Sequence, residues 1–142
     1  MNVLFIGLGS IGQRHLRILN ELIRPQVIWC PSGIKSESKD LIRAYNIQIK
    51  SSIKDAIEQN LNFAVIANPT SMHVDVAIKL ARENVPFLLE KPVSNSLNRL
   101  DELQYIVSQQ KLPVLVGYNF RYHPGFKTLK KWLHQGYIGT PL

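Results

Sequence analysis

Cysteine, acidic side chains and long apolar runs are all scarce in this chain of 142 residues. Its single cysteine, Cys30, excludes an internal disulfide and favours a reducing compartment, so we expect a cytoplasmic location. No apolar run approaches the roughly 20 residues that a membrane helix needs, and the N-terminus lacks the basic flank of a signal peptide. We therefore expect a soluble globular protein with no membrane partner and no metal site.

Acidic residues number 10 against 17 basic ones, which gives a formal net charge of +7. A solvated basic surface, a phosphate-bearing ligand or a nucleic acid would each account for this balance. The basic residues are spread along the chain without an aromatic–basic motif, so we expect no nucleic-acid partner. Hydrophobic residues make up 45% and charged residues 19%, which is typical of one domain with its own core.

Short apolar runs alternate with amphipathic segments along the chain. Strands are predicted at 2–6, 26–30, 47–49, 62–67, 86–90 and 113–117, and helices at 10–23, 37–45, 53–59, 72–84, 97–110 and 124–135. Continuous apolar strands are covered on both faces, and βαβ units have right-handed crossovers. The predicted fold class is therefore α/β, a doubly wound parallel sheet of the Rossmann type, whose ligands bind beyond the carboxyl ends of the strands.

A glycine-rich turn follows the first predicted strand. Gly7, Gly9 and Gly12 match the pattern G-x-G-x-x-G between a strand and a helix. The first allows a tight turn, the second lets a pyrophosphate approach the backbone, and the third lets the helix pack closely on the strand. The helix N-terminus presents unpaired N–H groups and a positive dipole end to the phosphates. A glycine-rich turn without a ligand is the structural alternative.

A carboxylate is missing where the second predicted strand ends. The chain reads CPSGIK from residue 30, and no acid occurs before Glu37. A carboxylate at this point would accept the ribose 2′-OH of NAD. Ser32 and Lys35 could instead receive a 2′-phosphate. We therefore predict NADP as the cofactor, with NAD as the alternative.

The turn after the fourth predicted strand reads ANPTSMH. Asn68 and Pro69 lie over the sheet edge, and Thr70 or Ser71 can cap the helix that follows, just as Ser52 with Asp55 resembles a capping box earlier in the chain. His73 lies in the first helical turn. A lone histidine there is more often structural than catalytic, and both roles stay open.

The fifth predicted strand ends in Glu90-Lys91-Pro92. A lysine beside a nicotinamide ring can hydrogen-bond a substrate hydroxyl and help to move its proton. Glu90 could pair with Lys91 or with a ribose hydroxyl. A loop-edge ion pair beside a rigid proline turn is the structural alternative.

Five segments in register resemble the N-terminal half of the Gfo/Idh/MocA oxidoreductases: GLGSIGQRH, AVIANPTSMH, LLEKPVSNS, VGYNFRYHPGF and GYIGTPL. The resemblance spans essentially the whole chain. It implies a Rossmann domain that binds NAD(P), with hydride exchanged between the nicotinamide and a small sugar or polyol. It makes Lys91 the catalytic residue, in contact with cofactor and substrate. The cofactor-binding residues that it implies are Gly7, Gly9, Ser10, Ile11, Gly12, Asn68, Pro69, His73, Glu90, Lys91, Asn119 and Arg121.

The resemblance also implies a second domain, an open β-sheet with most of the substrate pocket and a catalytic histidine in a D-x-x-x-H signature. The chain reaches Leu142 before such a segment. We expect residues 1–120 to form the dinucleotide-binding domain, and residues 121–142 to form a terminal helix and linker toward the absent domain. The apolar stripe Phe126, Leu129, Trp132 and Leu133 would pack on the sheet or on that second domain.

Cofactor binding without turnover is the function expected of this chain alone. The alternative is a non-catalytic nucleotide-binding regulatory module, against which the intact E-K-P signature argues because a sensor does not need Lys91. The family's second sheet usually forms the oligomer interface, so a homo-oligomer stays open.

Overall fold

The computed structural model describes residues 1–29 and 38–140. Within them, six parallel strands form one sheet in the order β3-β2-β1-β4-β5-β6. The strands are β1 (Asn2–Ile6), β2 (Gln26–Trp29), β3 (Gln48–Ile49), β4 (Phe63–Ile66), β5 (Phe87–Leu89) and β6 (Val114–Val116). The helices are α1 (Ser10–Ile23), α2 (Ser38–Ala44), α3 (Ile53–Ile57), α4 (His73–Arg82), α5 (Leu100–Gln110) and α6 (Pro124–His134). This strand order confirms the predicted doubly wound Rossmann sheet.

Two apolar cores lie on opposite faces of the sheet. Val3 and Phe5 of β1 pack with Leu16 of α1 on one face. Leu4 and Ile6 pack with α4 and α5 on the other face. Because successive side chains of a strand point to opposite faces, helices on both sides require a strand that is apolar at every position. The continuous apolar runs of the sequence therefore have the predicted cause.

Local hydrogen bonds decide how α3 and α4 begin. The Ser52 hydroxyl accepts the Asp55 N–H at 3.1 Å, which confirms the predicted cap of α3. The predicted cap of α4 by Thr70 or Ser71 is wrong, since no side chain caps that helix. A 3-10 turn at Thr70–Met72 precedes α4. The Met72 N–H donates to the Pro69 carbonyl and the His73 N–H donates to the Thr70 carbonyl, instead of to a hydroxyl.

Other element boundaries differ from the predictions by a few residues. The helix predicted from 97 begins at Leu100, because Arg99 has a left-handed backbone with φ of +59°. The strand predicted over 26–30 is described to Trp29, and residue 30 lies outside the described residues. Within the described ranges, no helix combines the length and apolar character needed to cross a membrane.

The terminal helix α6 does not cover the sheet. None of its residues is buried, and Phe126, Leu129 and Trp132 are 49%, 41% and 47% exposed. Its main packing partner is the 3-10 turn Asn119–Tyr122, where the ring of Phe120 stacks on Phe126 with centroids 5.1 Å apart. Leu133, the fourth residue of the stripe, is half-buried, and among the described residues neither core of the sheet includes a residue of α6. Of the two predicted positions for the stripe, the structure therefore does not support packing in the cores of the sheet.

Candidate functional site

The glycine turn between β1 and α1 is held by backbone contacts that a side chain would block. Gly7 has φ of +96°, and a Cβ there would lie 2.5 Å from the carbonyl carbon of Ala67 at the end of β4. A Cβ on Gly12 would lie 2.1 Å from the Gly7 carbonyl oxygen. Around a Cβ on Gly9, in contrast, no atom of the described residues lies within 4 Å. Two glycines thus close the turn, and the third leaves open space above it.

The N-terminus of α1 lies beside this open space. Gly9 is its N-cap in an extended conformation, with no side-chain cap and no acidic residue in the first turn. The Gln13 N–H donates to the Gly9 carbonyl at 2.9 Å, so helical bonding begins there and the preceding N–H groups have no intrahelical acceptor. Unpaired donors at the positive end of the helix dipole make this a site for an anion such as a pyrophosphate.

Asn68 supplies an amide without a partner next to the glycine turn. Its backbone nitrogen would meet a Cβ on Gly7 at 2.5 Å, so the two turns touch. Its side-chain nitrogen and oxygen are both buried, and neither has a hydrogen-bond partner among the described residues. Buried amides almost always find partners, and an amide that can both donate and accept suits ribose hydroxyls. The site therefore fits a bound dinucleotide.

His73 connects two loops at the carboxyl edge of the sheet. It is 1% exposed at the first position of α4. Its Nε2 lies 2.9 Å from the Asn68 carbonyl oxygen, and its Nδ1 lies 2.9 Å from the carbonyl oxygen of Pro92. Both ring nitrogens thus lie within hydrogen-bond distance of backbone carbonyls, which favours a structural role for His73 over a catalytic one. Pro69, on the turn beside it, is exposed.

Glu90 and Lys91 have different surroundings although they are neighbours. Glu90 is 8% exposed, and its Oε1 lies 2.7 Å from Nε2 of His15 on α1. Its Oε2 accepts the Lys91 backbone N–H at 3.2 Å. The Lys91 side chain is exposed, and the side-chain contact of the Glu90 carboxylate within the described residues is with His15. Within the described residues the Glu90 carboxylate and the Lys91 ammonium form no ion pair, so that alternative is wrong.

Two of the remaining predicted residues lie on the 3-10 turn after β6. Asn119 lines a cavity of about 250 Å³ together with His15 and Glu90. Arg121 is exposed on the same 3-10 turn. Ser32 and Lys35, predicted to bind a 2′-phosphate, lie outside the described residues. Among the residues that the structure describes, no group of three His, Cys, Asp or Glu side chains could hold a metal ion.

Two residues of this site were missed by sequence reasoning. His15 is the partner of Glu90, and Gly117 at the end of β6 gives the carboxylate its room, since a Cβ there would lie 2.9 Å from Oε1. The available signal for His15 was a histidine three residues beyond the last glycine of the turn, on a helix that the sequence already places against the sheet.

Comparison with known proteins assigns the chain to a family. Residues 1–118 match the sequence model of GFO_IDH_MocA, the oxidoreductase family with an NAD-binding Rossmann fold. The inositol 2-dehydrogenase of Rhizobium meliloti (strain 1021) is 26% identical over 136 residues, which are 94% of this chain and 41% of that protein.

Solved structures share the fold. The crystal structure of myo-inositol 2-dehydrogenase from Lactobacillus plantarum has a TM-score of 0.84 at 24% identity and covers 98% of this chain and 42% of that one. GenD2 from gentamicin A biosynthesis, in complex with NAD, has a TM-score of 0.82 at 21% identity, over 96% of this chain and 39% of that one. The chain therefore spans about two fifths of the length of the relatives that it matches.

Proposed function

The chain belongs to the Gfo/Idh/MocA family of oxidoreductases, and we propose that it holds NADP, with NAD as the alternative, for hydride exchange with a sugar or polyol. The observation that carries this proposal is the glycine turn, in which Gly7 and Gly12 touch backbone while Gly9 borders open space. The pyrophosphate would bind there to the N–H groups of Ser10 and Ile11. The inositol dehydrogenases among the relatives support the substrate class.

Each remaining site residue has a role in this proposal. The bound nicotinamide supplies the hydride chemistry. Asn68 offers its unpartnered amide to the ribose, and His73 keeps the two neighbouring loops in place. The exposed ammonium of Lys91 hydrogen-bonds the substrate hydroxyl and helps to move its proton. Asn119 and Arg121 border the nicotinamide side from the segment after β6.

The preference for NADP is tested by titration. Calorimetry of the chain with NADPH and NADH should give tighter binding of NADPH. Lys35→Ala should weaken the binding of NADPH and leave the binding of NADH unchanged, because only NADPH carries the 2′-phosphate. Lys39→Ala on α2 is the matched control and should change neither affinity. Tighter binding of NADH would overturn the cofactor preference, and binding of neither dinucleotide would overturn the proposed function.

The domain assignment is part of the proposal. Residues 1–120 form the dinucleotide-binding domain, and residues 121–142 form a helix and linker toward a substrate domain, which the exposed apolar face of α6 supports. We expect cofactor binding without polyol turnover from these residues alone, in a cytoplasmic setting that the single Cys30 favours. Dehydrogenase activity of this chain on a polyol would contradict the assignment.

A further inference from the structure

We propose that His15 is a positioning residue, which holds Glu90 and thereby fixes the backbone of Lys91 relative to the glycine turn. The inference rests on the proposed function, since it assigns these residues to the nicotinamide half of a bound dinucleotide. His15 lies on α1, the helix whose N-terminus carries the glycine turn. Glu90 lies at the carboxyl end of β5, 75 residues later in the chain.

The contact is a continuous chain of polar bonds between α1 and the Lys91 loop. His15 Nε2 lies 2.7 Å from Glu90 Oε1. The second oxygen of the same carboxylate accepts the Lys91 N–H at 3.2 Å. The Oε2 bond joins neighbouring residues, whereas the His15 bond ties this end of β5 to α1, so a movement of α1 away from the loop would break it. The carboxylate links the two parts of the site.

The fold reserves space for this carboxylate. Glu90 is 8% exposed, and a buried carboxylate is costly unless a partner satisfies it. Gly117 on the adjacent strand end lacks the Cβ that would lie 2.9 Å from Oε1 and 3.0 Å from the carboxylate carbon. A glycine that makes room and a histidine that supplies the partner are two independent features serving one side chain.

The position of the His15–Glu90 contact places it beside the nicotinamide half of a dinucleotide bound as proposed. In a doubly wound sheet the pyrophosphate lies at the glycine turn, and the adenosine ribose lies toward the end of the second strand. The other half of the dinucleotide then extends over the ends of β4 and β5, where Asn68 and Glu90 lie. Loss of His15 should consequently weaken interactions of the nicotinamide half and leave those of the adenosine half unchanged.

This asymmetry provides the test. The titration compares the dinucleotide that the unsubstituted chain binds more tightly, NADPH or NADH, with its fragment that lacks nicotinamide, 2′-phospho-ADP-ribose or ADP-ribose. We expect His15→Leu to lower the affinity for the dinucleotide about 10-fold, which is about 1.4 kcal/mol. The affinity for the fragment should fall less than about twofold. Arg17→Leu, which removes an exposed cation from the same helix, should change neither affinity.

Two further variants separate positioning from general damage. His15→Gln should retain most of the dinucleotide affinity, because its side-chain amide can donate to the carboxylate. Gly117→Ala should reproduce the selective loss with His15 intact, because the new methyl group displaces the carboxylate of Glu90. This variant also carries the test if His15→Leu does not fold.

Each outcome decides between the two proposals. Equal losses for dinucleotide and fragment, or unchanged dinucleotide affinity in both His15→Leu and Gly117→Ala, would overturn the positioning role alone. Failure of the unsubstituted chain to bind either dinucleotide would overturn the proposed function, and the positioning role with it.

Discussion

A methyl group added at Gly12 should lower stability, whereas one added at Gly9 should lower dinucleotide affinity and leave stability nearly unchanged. At Gly12 the new Cβ would lie 2.1 Å from the Gly7 carbonyl oxygen, more than an ångström inside the ordinary contact of 3.4 Å. The obstructing atom is backbone, so α1 or the turn must move, at a cost of about 1–3 kcal/mol for such overpacking. Gly12→Ala should therefore lower the free energy of unfolding by this amount.

At Gly9 the same methyl group enters open space. The backbone, with φ of −66° and ψ of −173°, is accessible to alanine, so Gly9→Ala should change the free energy of unfolding by less than about 0.5 kcal/mol. The methyl group nevertheless occupies the approach to the first N–H groups of α1. We expect dinucleotide affinity to fall at least about 10-fold, which is about 1.4 kcal/mol.

Urea denaturation and calorimetric titration of the two variants measure these effects separately. Each variant is the control for the other, since one substitution changes the stability of the fold and the other changes the affinity for the dinucleotide. The reasoning would be refuted by Gly9→Ala binding dinucleotide as tightly as the unsubstituted chain, or by Gly12→Ala unfolding at the same urea concentration.

Three further predictions concern stability. Leu16→Ala leaves a cavity at a fully buried position of α1 and should lower the free energy of unfolding by about 2–5 kcal/mol in urea denaturation. A loss below about 1 kcal/mol would contradict the packing described. Ser52→Ala should cost about 1 kcal/mol by removing the N-cap of α3, and an unchanged free energy of unfolding would contradict the cap. The hydrogen bond from Arg99 lowers the pKa of Glu102 below its ordinary 4.5, so this carboxylate contributes stability above that pH and loses it as the pH falls through the lowered pKa. Arg99→Gln should thus lower the melting temperature at pH 7, and this effect should shrink as the pH falls through the lowered pKa; an effect of the same size at every pH would contradict the assignment.

The fold was predictable because its signals are local. Continuous apolar runs such as 2–6 indicate strands covered on both faces, and helical periodicity between them indicates the crossovers. The errors lie where short-range geometry competes with pattern. The 3-10 turn Thr70–Met72 precedes α4 in place of a side-chain cap, and the left-handed backbone of Arg99 makes α5 begin at Leu100. Neither feature can be predicted from hydrophobic periodicity.

The site was predictable only where its residues are close together in the sequence. The glycine turn is contiguous, so its spacing alone predicts the closed packing of Gly7 and Gly12. The partnership of His15 with Glu90 joins residues 75 positions apart and depends on how α1 packs against the sheet. Contacts of this kind exist only after the sheet and helices pack, so residue types alone offered Lys91 or a ribose hydroxyl as the partner of Glu90.

The most direct test of the central claim is a crystal structure of this chain with NADPH. We expect pyrophosphate oxygens within hydrogen-bond distance of the backbone N–H groups beside Gly9, and the nicotinamide half over the ends of β4 and β5. A dinucleotide bound elsewhere, with the open space at Gly9 filled only by solvent, would contradict it.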